Sequence, residues 1–461
     1  MLSERITLPE SKTVLLKAFL GGLPGPTAGR LAMAVETDRL MDGRGLPHEV
    51  ILEGLRPTLR RENFDRRPTP LRLFCRPFQD LLTCQPRKVK QKAAIARGSL
   101  VPVWNWVSQS LIPDAAHAFV KFTKICVLNQ RLENAIACAA EFWPIAGNAI
   151  NQALSTEVGR QAAQKCLGGA FAVEDAAEMA MLLQAGEAIE QLSALLPAPV
   201  ASFQDQLIWD VCKIYDQLAE THPDAATYVP VITMNRLSRP WEALRLPLLV
   251  TRHTDETLIS NTDMGLIGEI LFERMEALKE SIQDKRHPSF NAEELMEEVK
   301  AFTDLSSNIV KEIELKRQGE WGRRLLTERA QIGKAMEKFM ERAPREISQA
   351  LPTHRSGKAD YRVPEERREM AMRYARLVAG SSSFAAAASF TAKQHSVSQE
   401  LCAMLKRYNE DLLKALKAEP RNEIVTSQFE FCAEMTAILF SEDEAELLRR
   451  RARAHNPRAA S

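Results

Sequence analysis

Two runs of apolar residues between Phe290 and Leu351 constrain the fold more than any other part of the sequence. The first run consists of Leu295, Val299, Phe302, Ile309 and Ile313. The second run consists of Leu325, Ile332, Met336 and Phe339. Successive members of each run are three, four or seven residues apart, which places each run on one side of a helix. The two runs are out of phase, so one straight helix cannot bury both against a single neighbour.

The break between the runs lies at Gly319 to Gly322. Each glycine costs a helix about 1 kcal/mol relative to alanine. The segment therefore predicts either a kink in one long helix or a turn between two antiparallel helices, with Trp321 as the local anchor. Asn291 is a suitable N-cap at the start, and Pro344 and Pro352 are expected to bound the far end.

The same helical spacing recurs along most of the 461 residues. Aromatic residues make up only 6% of the chain, and Ala, Leu, Glu and Arg dominate, which favours helix over sheet. The sequence predicts an all-α fold, a multi-helical array of antiparallel helix hairpins with about 15 to 20 helices. At most minor β structure is expected between residues 229 and 250, where the β-branched run Val229 to Thr233 lies among prolines.

The length and the positions of proline predict three regions. An N-terminal helical region spans residues 1–222. A middle region spans 223–352, with a proline-rich entry and the long helical stretch 290–351. A C-terminal helical region, 353–461, follows a polar linker.

Two neighbouring segments of the first region carry opposite charge. Residues 54–98, the basic block, contain twelve Arg or Lys and three acids, a net charge of +9. Residues 132–222, the acidic block, contain twelve acids and three bases, a net charge of −9. The whole chain carries only +1. Equal and opposite excesses favour pairing of the blocks, within the chain or between subunits.

The basic block also predicts candidate binding residues. These are Arg60, Arg61, Arg66, Arg67, Arg72, Arg76, Arg87, Lys88 and Lys90. Phe64, Phe74 and Phe78 are interleaved with them, a combination typical of nucleic-acid surfaces, and such a block also suits anionic membranes. A helical core face is the simpler interpretation of Phe74 and Phe78, which are four residues apart.

A polar cluster at Arg252, His253, Asp255 and Glu256 is the densest group of candidate catalytic side chains. Histidine with a carboxylate can act as a general base. Consecutive residues point in different directions, however, so a solvated turn before the next helix is the favoured interpretation. An enzyme with a site assembled from distant residues remains an alternative, with His48, His117, His253 and Glu256 as the first candidates.

No cofactor, metal or transmembrane segment is predicted. The eight cysteines are never closer than nine residues, which fits buried, reduced thiols better than a zinc site or a disulfide framework. Residues 1–9 lack the sequence pattern of a secretory signal, because Glu4 and Arg5 precede any apolar run. No apolar run in the chain reaches about 18 residues. A cytoplasmic location is the expectation.

The favoured function is a non-catalytic protein-interaction or scaffold protein acting through helical surfaces. Self-association or a protein partner is expected, because out-of-phase apolar stripes and paired charge blocks suit several contacting helices. The alternatives are a nucleic-acid or anionic-membrane binder using residues 54–98, and an enzyme.

Overall fold

The structure, a computed structural model, describes residues 8–41, 43, 45–61, 68–84, 90–251, 256–285, 290–352, 362–419 and 421–455. Contacts between Cα atoms divide the chain into two compact units, residues 1–238 and residues 239–461. The boundary lies inside the proline-rich stretch that begins at residue 223. The division into three regions stays a prediction.

Unit 1, residues 1–238, is helical apart from one very small sheet. Its helices are α1 (Glu10–Gly21), α2 (Gly25–Leu40), α3 (His48–Arg61), α4 (Pro70–Cys75), α5 (Leu100–Trp106), α6 (Pro113–Leu128), α7 (Leu132–Leu154), α8 (Glu157–Leu167), α9 (Ala170–Gln184), α10 (Gly186–Leu195), α11 (Asp205–Thr221), α12 (Pro223–Ala226) and α13 (Val229–Arg236). The sheet consists of β1 (Leu82–Thr83) and β2 (Ile95–Ala96), which are parallel, with Leu82 opposite Ile95.

Unit 2, residues 239–461, contains the longest helices. They are α14 (Arg245–Thr251), α15 (Glu256–Ser260), α16 (Leu266–Asp284), α17 (Ala292–Glu312), α18 (Glu320–Gln349), α19 (Glu365–Gly380), α20 (Thr391–Ala418), α21 (Glu423–Leu439) and α22 (Glu442–His455). The described ranges of the chain thus hold 22 α-helical segments, of which α4, α5, α12, α14 and α15 have seven residues or fewer, leaving 17 longer ones. The all-α prediction is confirmed, whereas the hairpin arrangement stays a prediction.

The β-branched run near Val229, in the region where at most minor β structure was expected, is helical. Val229 to Thr233 lie in α13 and are all buried, and Pro230 occupies the first turn, where its missing N–H has no helical partner to lose. A short run buried on all sides has no periodicity that separates strand from helix. The one isolated bridge among the described residues joins Val200 to Leu237, and the sheet lies at β1 and β2 instead.

The core of unit 1 contains two side-chain clusters. In the first, helices α1, α2 and α3 bury Leu20, Val35 and Leu55. In the second, Phe74 and Phe78 are fully buried, and Phe119 stacks on Phe142 with ring centroids 4.4 Å apart. The core interpretation of Phe74 and Phe78 is therefore confirmed.

The long stretch of unit 2 forms two helices rather than one. α17 and α18 are separate, and each packs against both α16 and α19. The Asn291 side chain accepts hydrogen bonds from the backbone N–H groups of Glu293 and Glu294, at 3.0 and 3.4 Å, so the predicted cap is confirmed. Pro344 does not end α18, which continues to Gln349.

Trp321 is the predicted anchor at the start of α18. It is 1% exposed, and its indole Nε1–H donates to Oε1 of Glu269 at 2.6 Å. Gly268 of α16 lies directly under the ring, where a Cβ atom would overlap it. α16 and α18 are thereby held close together at the start of both helices, and a groove lies further along the same pair.

Candidate functional site: a cationic groove and the fate of the charged blocks

The basic block is partly neutralised by the acidic block within unit 1. Arg76 forms a two-pronged ion pair with Glu190 of α10, its Nε lying 2.9 Å from Oε2. Lys90 Nζ lies 2.6 Å from Asp175 Oδ1 and 2.6 Å from Glu178 Oε2, both on α9. The predicted complementarity is therefore present at these residues.

Asp175 and Glu178 bind more than the lysine. Asp175 accepts from the Ser99 hydroxyl at 2.6 Å, and Glu178 accepts from the Ala93 N–H and from the Tyr228 hydroxyl, both at 3.0 Å. These bonds fasten the segment around β2 to α9. Both carboxylates are buried and have hydrogen-bond partners, so the cluster of Lys90, Asp175 and Glu178 stabilises the fold, and we call it the clamp. Desolvation of Tyr228, followed by the Glu178 charge, raises the pKa of its hydroxyl.

The other predicted binding residues are not described as pairing with the acidic block. Arg72 pairs with buried Glu36 of α2 at 2.8 Å, whereas Arg60 and Arg61 are exposed at the end of α3. Arg66, Arg67, Arg87 and Lys88 lie outside the described residues. The structure therefore leaves their role as binding residues a prediction.

Of the polar cluster near residue 252, only Glu256 is described. Arg252, His253 and Asp255 lie outside the described residues. Glu256 is 2% exposed, and its Oε2 accepts from the backbone N–H of Gly322 at 3.1 Å. Its carboxylate thus binds the first turn of α18, where the helix dipole favours negative charge. This contact gives Glu256 a structural role.

Of the histidines considered for catalysis, His48 and His117 lie among the described residues, on different helices, and His253 does not. His48 Nε2 lies 2.7 Å from Asp38 Oδ2 and links the start of α3 to α2. His117 is exposed on α6. Among the residues whose placement is described, no group of three or more His, Cys, Asp or Glu side chains could hold a metal ion.

The cysteines are unpaired, and their burial differs from the expectation. Cys75, Cys126, Cys212 and Cys432 are buried, but Cys84 and Cys166 are exposed. Burial raises the pKa of the Cys212 thiol to about 11 and that of Cys75 to about 12. These two thiols are therefore protonated and unreactive at neutral pH.

A cationic groove in unit 2 was not predicted. It lies between the end of α16 and the middle of α18 and encloses a cavity of about 640 Å³. Lys334, Lys338 and Arg342 line it from α18, and Lys285, the residue that follows α16, also lines it. Because the three α18 cations are four residues apart, they form one row along the helix with a spacing of about 6 Å.

The floor of this α16–α18 groove is apolar. Ile282, Ala335 and Phe339 form it, and the Phe339 ring packs edge-on against Phe290. Gln283 and Gln331 complete the lining, and no acidic residue is among the described side chains there. A row of cations beside an apolar floor suits a ligand that is both anionic and amphipathic.

Only some of the four cations are balanced by acids. Lys285 pairs with Glu294 at 2.9 Å and with Glu298 at 3.3 Å. Lys334 and Lys338 are exposed, and neither forms an ion pair with another residue in the described ranges. The positive charge of these two lysines is therefore left unbalanced in the groove.

The sequence holds a weak signal for this groove. The spacing of Lys334, Lys338 and Arg342 is visible, but Glu337, Glu341 and Glu346 alternate with them, so the net charge of residues 334–346 is only +1. The structure separates the two signs, since Glu341 pairs with Lys393 of α20 on another face of α18. Only the packing of α16 against α18 brings the row of cations next to an apolar floor.

A buried carboxylate on α18 is expected to make the stability of the fold depend on pH. Glu328 is 5% exposed, and its Oε2 has no hydrogen-bond partner among the described residues. Burial, aided by the charge of Glu276, raises the pKa of Glu328 against the opposing effect of Lys279 and Arg324. Because the folded state holds this proton more tightly than the unfolded state does, stability falls as pH rises from the ordinary carboxyl pKa through the raised value.

Glu328→Gln is therefore expected to raise the free energy of unfolding at neutral pH by about 1 kcal/mol. The gain should shrink on acidification, when native Glu328 is itself protonated. Urea unfolding at about pH 5 and at about pH 8 measures this difference. Glu400→Gln, the same change at an exposed position of α20, is the control and should show no such gain. A gain that does not vary with pH would contradict the assignment.

Within the described ranges, no helix is both long enough and apolar enough to cross a membrane. Comparison of the chain with protein-family models, with curated proteins and with solved structures gives no match.

Proposed function

We propose that this chain is a non-catalytic interaction protein of the cytoplasm, and that it binds an acidic, amphipathic helical segment of a protein in the α16–α18 groove. The observation that carries the proposal is the row of Lys334, Lys338 and Arg342 beside the apolar floor of Ala335 and Phe339. A helix with acids along one edge and apolar side chains next to them can satisfy both surfaces at once.

The dimensions of the groove agree with this ligand. From Gln331 to Arg342 it extends about 17 Å along α18, which corresponds to three turns of a bound helix. The accessible parts of Ala335 and Phe339 provide apolar contact, while the exposed lysines supply orientation and selectivity against cationic partners.

Another helical surface supports an interaction role. Helix α1 buries Leu20 against α3, but Val14, Leu15 and Phe19 on its other side are 62%, 71% and 67% exposed. Clustered, strongly exposed apolar side chains are more typical of proteins that contact partners than of isolated monomers.

The nucleic-acid alternative is less well supported by the basic block. Arg72, Arg76 and Lys90 are engaged by Glu36, Glu190 and the α9 carboxylates, so phosphates would have to compete with existing ion pairs. The α16–α18 groove could still accept a polyanion, and the following experiment distinguishes the two ligands.

The test measures binding of a fluorescein-labelled synthetic peptide of about 16 residues, with leucine on one face and glutamate on the other. Fluorescence anisotropy should show binding to the full-length protein. Lys334→Glu with Lys338→Glu should weaken it at least tenfold, about 1.4 kcal/mol, because attraction becomes repulsion. Lys300→Glu with Lys417→Glu, the same charge change at exposed lysines outside the groove, should alter binding less than about twofold.

Three results would contradict the proposal. The first is no binding of the peptide at low salt. The second is equal weakening by the groove variant and the control variant. The third is tighter binding of a single-stranded oligonucleotide than of the peptide, with the same loss in the groove variant, which would favour the nucleic-acid function instead.

A further inference from the structure

Helix α11 of unit 1 carries a surface that complements the α16–α18 groove. Asp205, Trp209, Asp216 and Glu220 are four, seven and four residues apart, so they form one stripe on the helix. All four are exposed, and Trp209 retains 54% of its accessible surface. A large indole exposed between carboxylates is a common anchor of protein interfaces.

The opposite side of α11 packs in the core of unit 1. Ile208, Val211 and Leu218 are buried there, so the acidic stripe faces away from its own unit. Asp210, beside the stripe, is bound by Lys213 at 2.8 Å and by Gln206 at 3.1 Å. Asp205, Asp216 and Glu220 form no ion pair with another described residue, so their charges are open to a partner.

The spacings of the two surfaces agree. Trp209 lies about 6 Å along the helix axis from Asp205 and about 10 Å from Asp216. Lys334, Lys338 and Arg342 span about 12 Å along α18, beside the floor of Ala335 and Phe339. An indole seated on that floor therefore places carboxylates on both sides of it within reach of the lysines.

We infer that the groove of one chain binds helix α11 of a second copy, so that the protein self-associates head to tail. This inference rests on the proposed function and names the partner of the same site. The contact is heterologous, because the two surfaces differ. An open assembly therefore has an unoccupied groove at one end and an unoccupied α11 at the other.

The experiment uses full-length chains and sedimentation or light scattering over a wide range of concentration. The average mass of the wild-type protein should rise with concentration, and the rise should weaken with added salt. Two variants, Lys334→Glu/Lys338→Glu and Trp209→Ala/Asp216→Lys, should each remain monomeric. An equal mixture of the two should form a one-to-one pair, because one retains α11 and the other retains the groove.

A charge exchange provides the positive control. Asp216→Lys/Glu220→Lys should abolish association, and adding Lys334→Glu/Lys338→Glu to the same chain should restore it. The Lys300→Glu/Lys417→Glu variant should associate as the wild type does. Circular dichroism of every variant verifies that helicity is retained.

The outcomes separate the two proposals. If the wild type stays monomeric but binds the acidic peptide, the inference about α11 is overturned and the proposed function stands. If it associates but the mixed variants do not pair, another surface is responsible and the inference is overturned. If neither the peptide nor a second chain binds, both proposals are overturned.

Discussion

Replacing Lys90 with alanine is expected to lower the free energy of unfolding by about 3 to 5 kcal/mol. Lys90 is 15% exposed and supplies the only lysine or arginine that the described ion pairs give to Asp175 and Glu178. Without it, two buried carboxylates on adjacent turns of α9 face each other with no compensating cation. Urea unfolding followed by circular dichroism measures the loss.

The matched control is Lys213→Ala. Lys213 also pairs with a carboxylate, Asp210 at 2.8 Å, but its side chain is 71% exposed, so water and salt screen the pair. Little change in stability is expected there. A Lys90→Ala protein that is as stable as the wild type but binds polyanions less tightly would contradict the clamp and favour the nucleic-acid alternative.

Replacing Trp321 with alanine is expected to destabilise unit 2 by about 3 to 5 kcal/mol. The substitution empties a fully enclosed site between Gly268 and Phe272, and it leaves Glu269 without the indole donor at 2.6 Å. Thermal unfolding and urea unfolding both report the effect. Because the α16–α18 groove is formed by the same two helices, weaker peptide binding should accompany unfolding of unit 2.

Trp209→Ala serves as the control for this change. It removes the same side chain from a half-exposed position on α11, so stability should change by no more than about 0.5 kcal/mol. The two tryptophan variants therefore separate folding from recognition, since only Trp209 belongs to the proposed interface. Equal destabilisation by both would show that the α11 stripe is part of the folded core.

A local signal in the sequence predicted the start of α17. Asn291 caps that helix, and Ser441 caps α22 in the same way, its hydroxyl accepting from the N–H of Glu444 at 3.2 Å. Such caps involve residues two or three positions apart, so the sequence contains both partners. The turn before Trp321 was predicted for the same reason, because two nearby glycines weaken a helix.

The contacts that form the Lys90 cluster and the α16–α18 groove join residues far apart in the chain. Lys90 meets Asp175 and Glu178, 85 and 88 residues away, and net charge indicated the pairing without identifying the partners. The sequence did not predict the groove, because its floor comes from both α16 and α18. Acids also alternate with the α18 cations in the sequence, so the local net charge is small. Which side chains are buried, and which direction they face, depend on how the helices pack. Charge counts along the sequence therefore do not reveal them.

The position of α12 and α13 in unit 1 determines where a shortened protein can end. After residue 222, Tyr228 donates to Glu178, and Arg236 donates to Asp80 and to the carbonyl oxygens of Ser193 and Leu196. A fragment that stops at 222 removes these donors and leaves their buried acceptors facing solvent or one another. One that stops at 238 keeps every one of them, so the last helical turn before Ser238 completes the fold of the fragment.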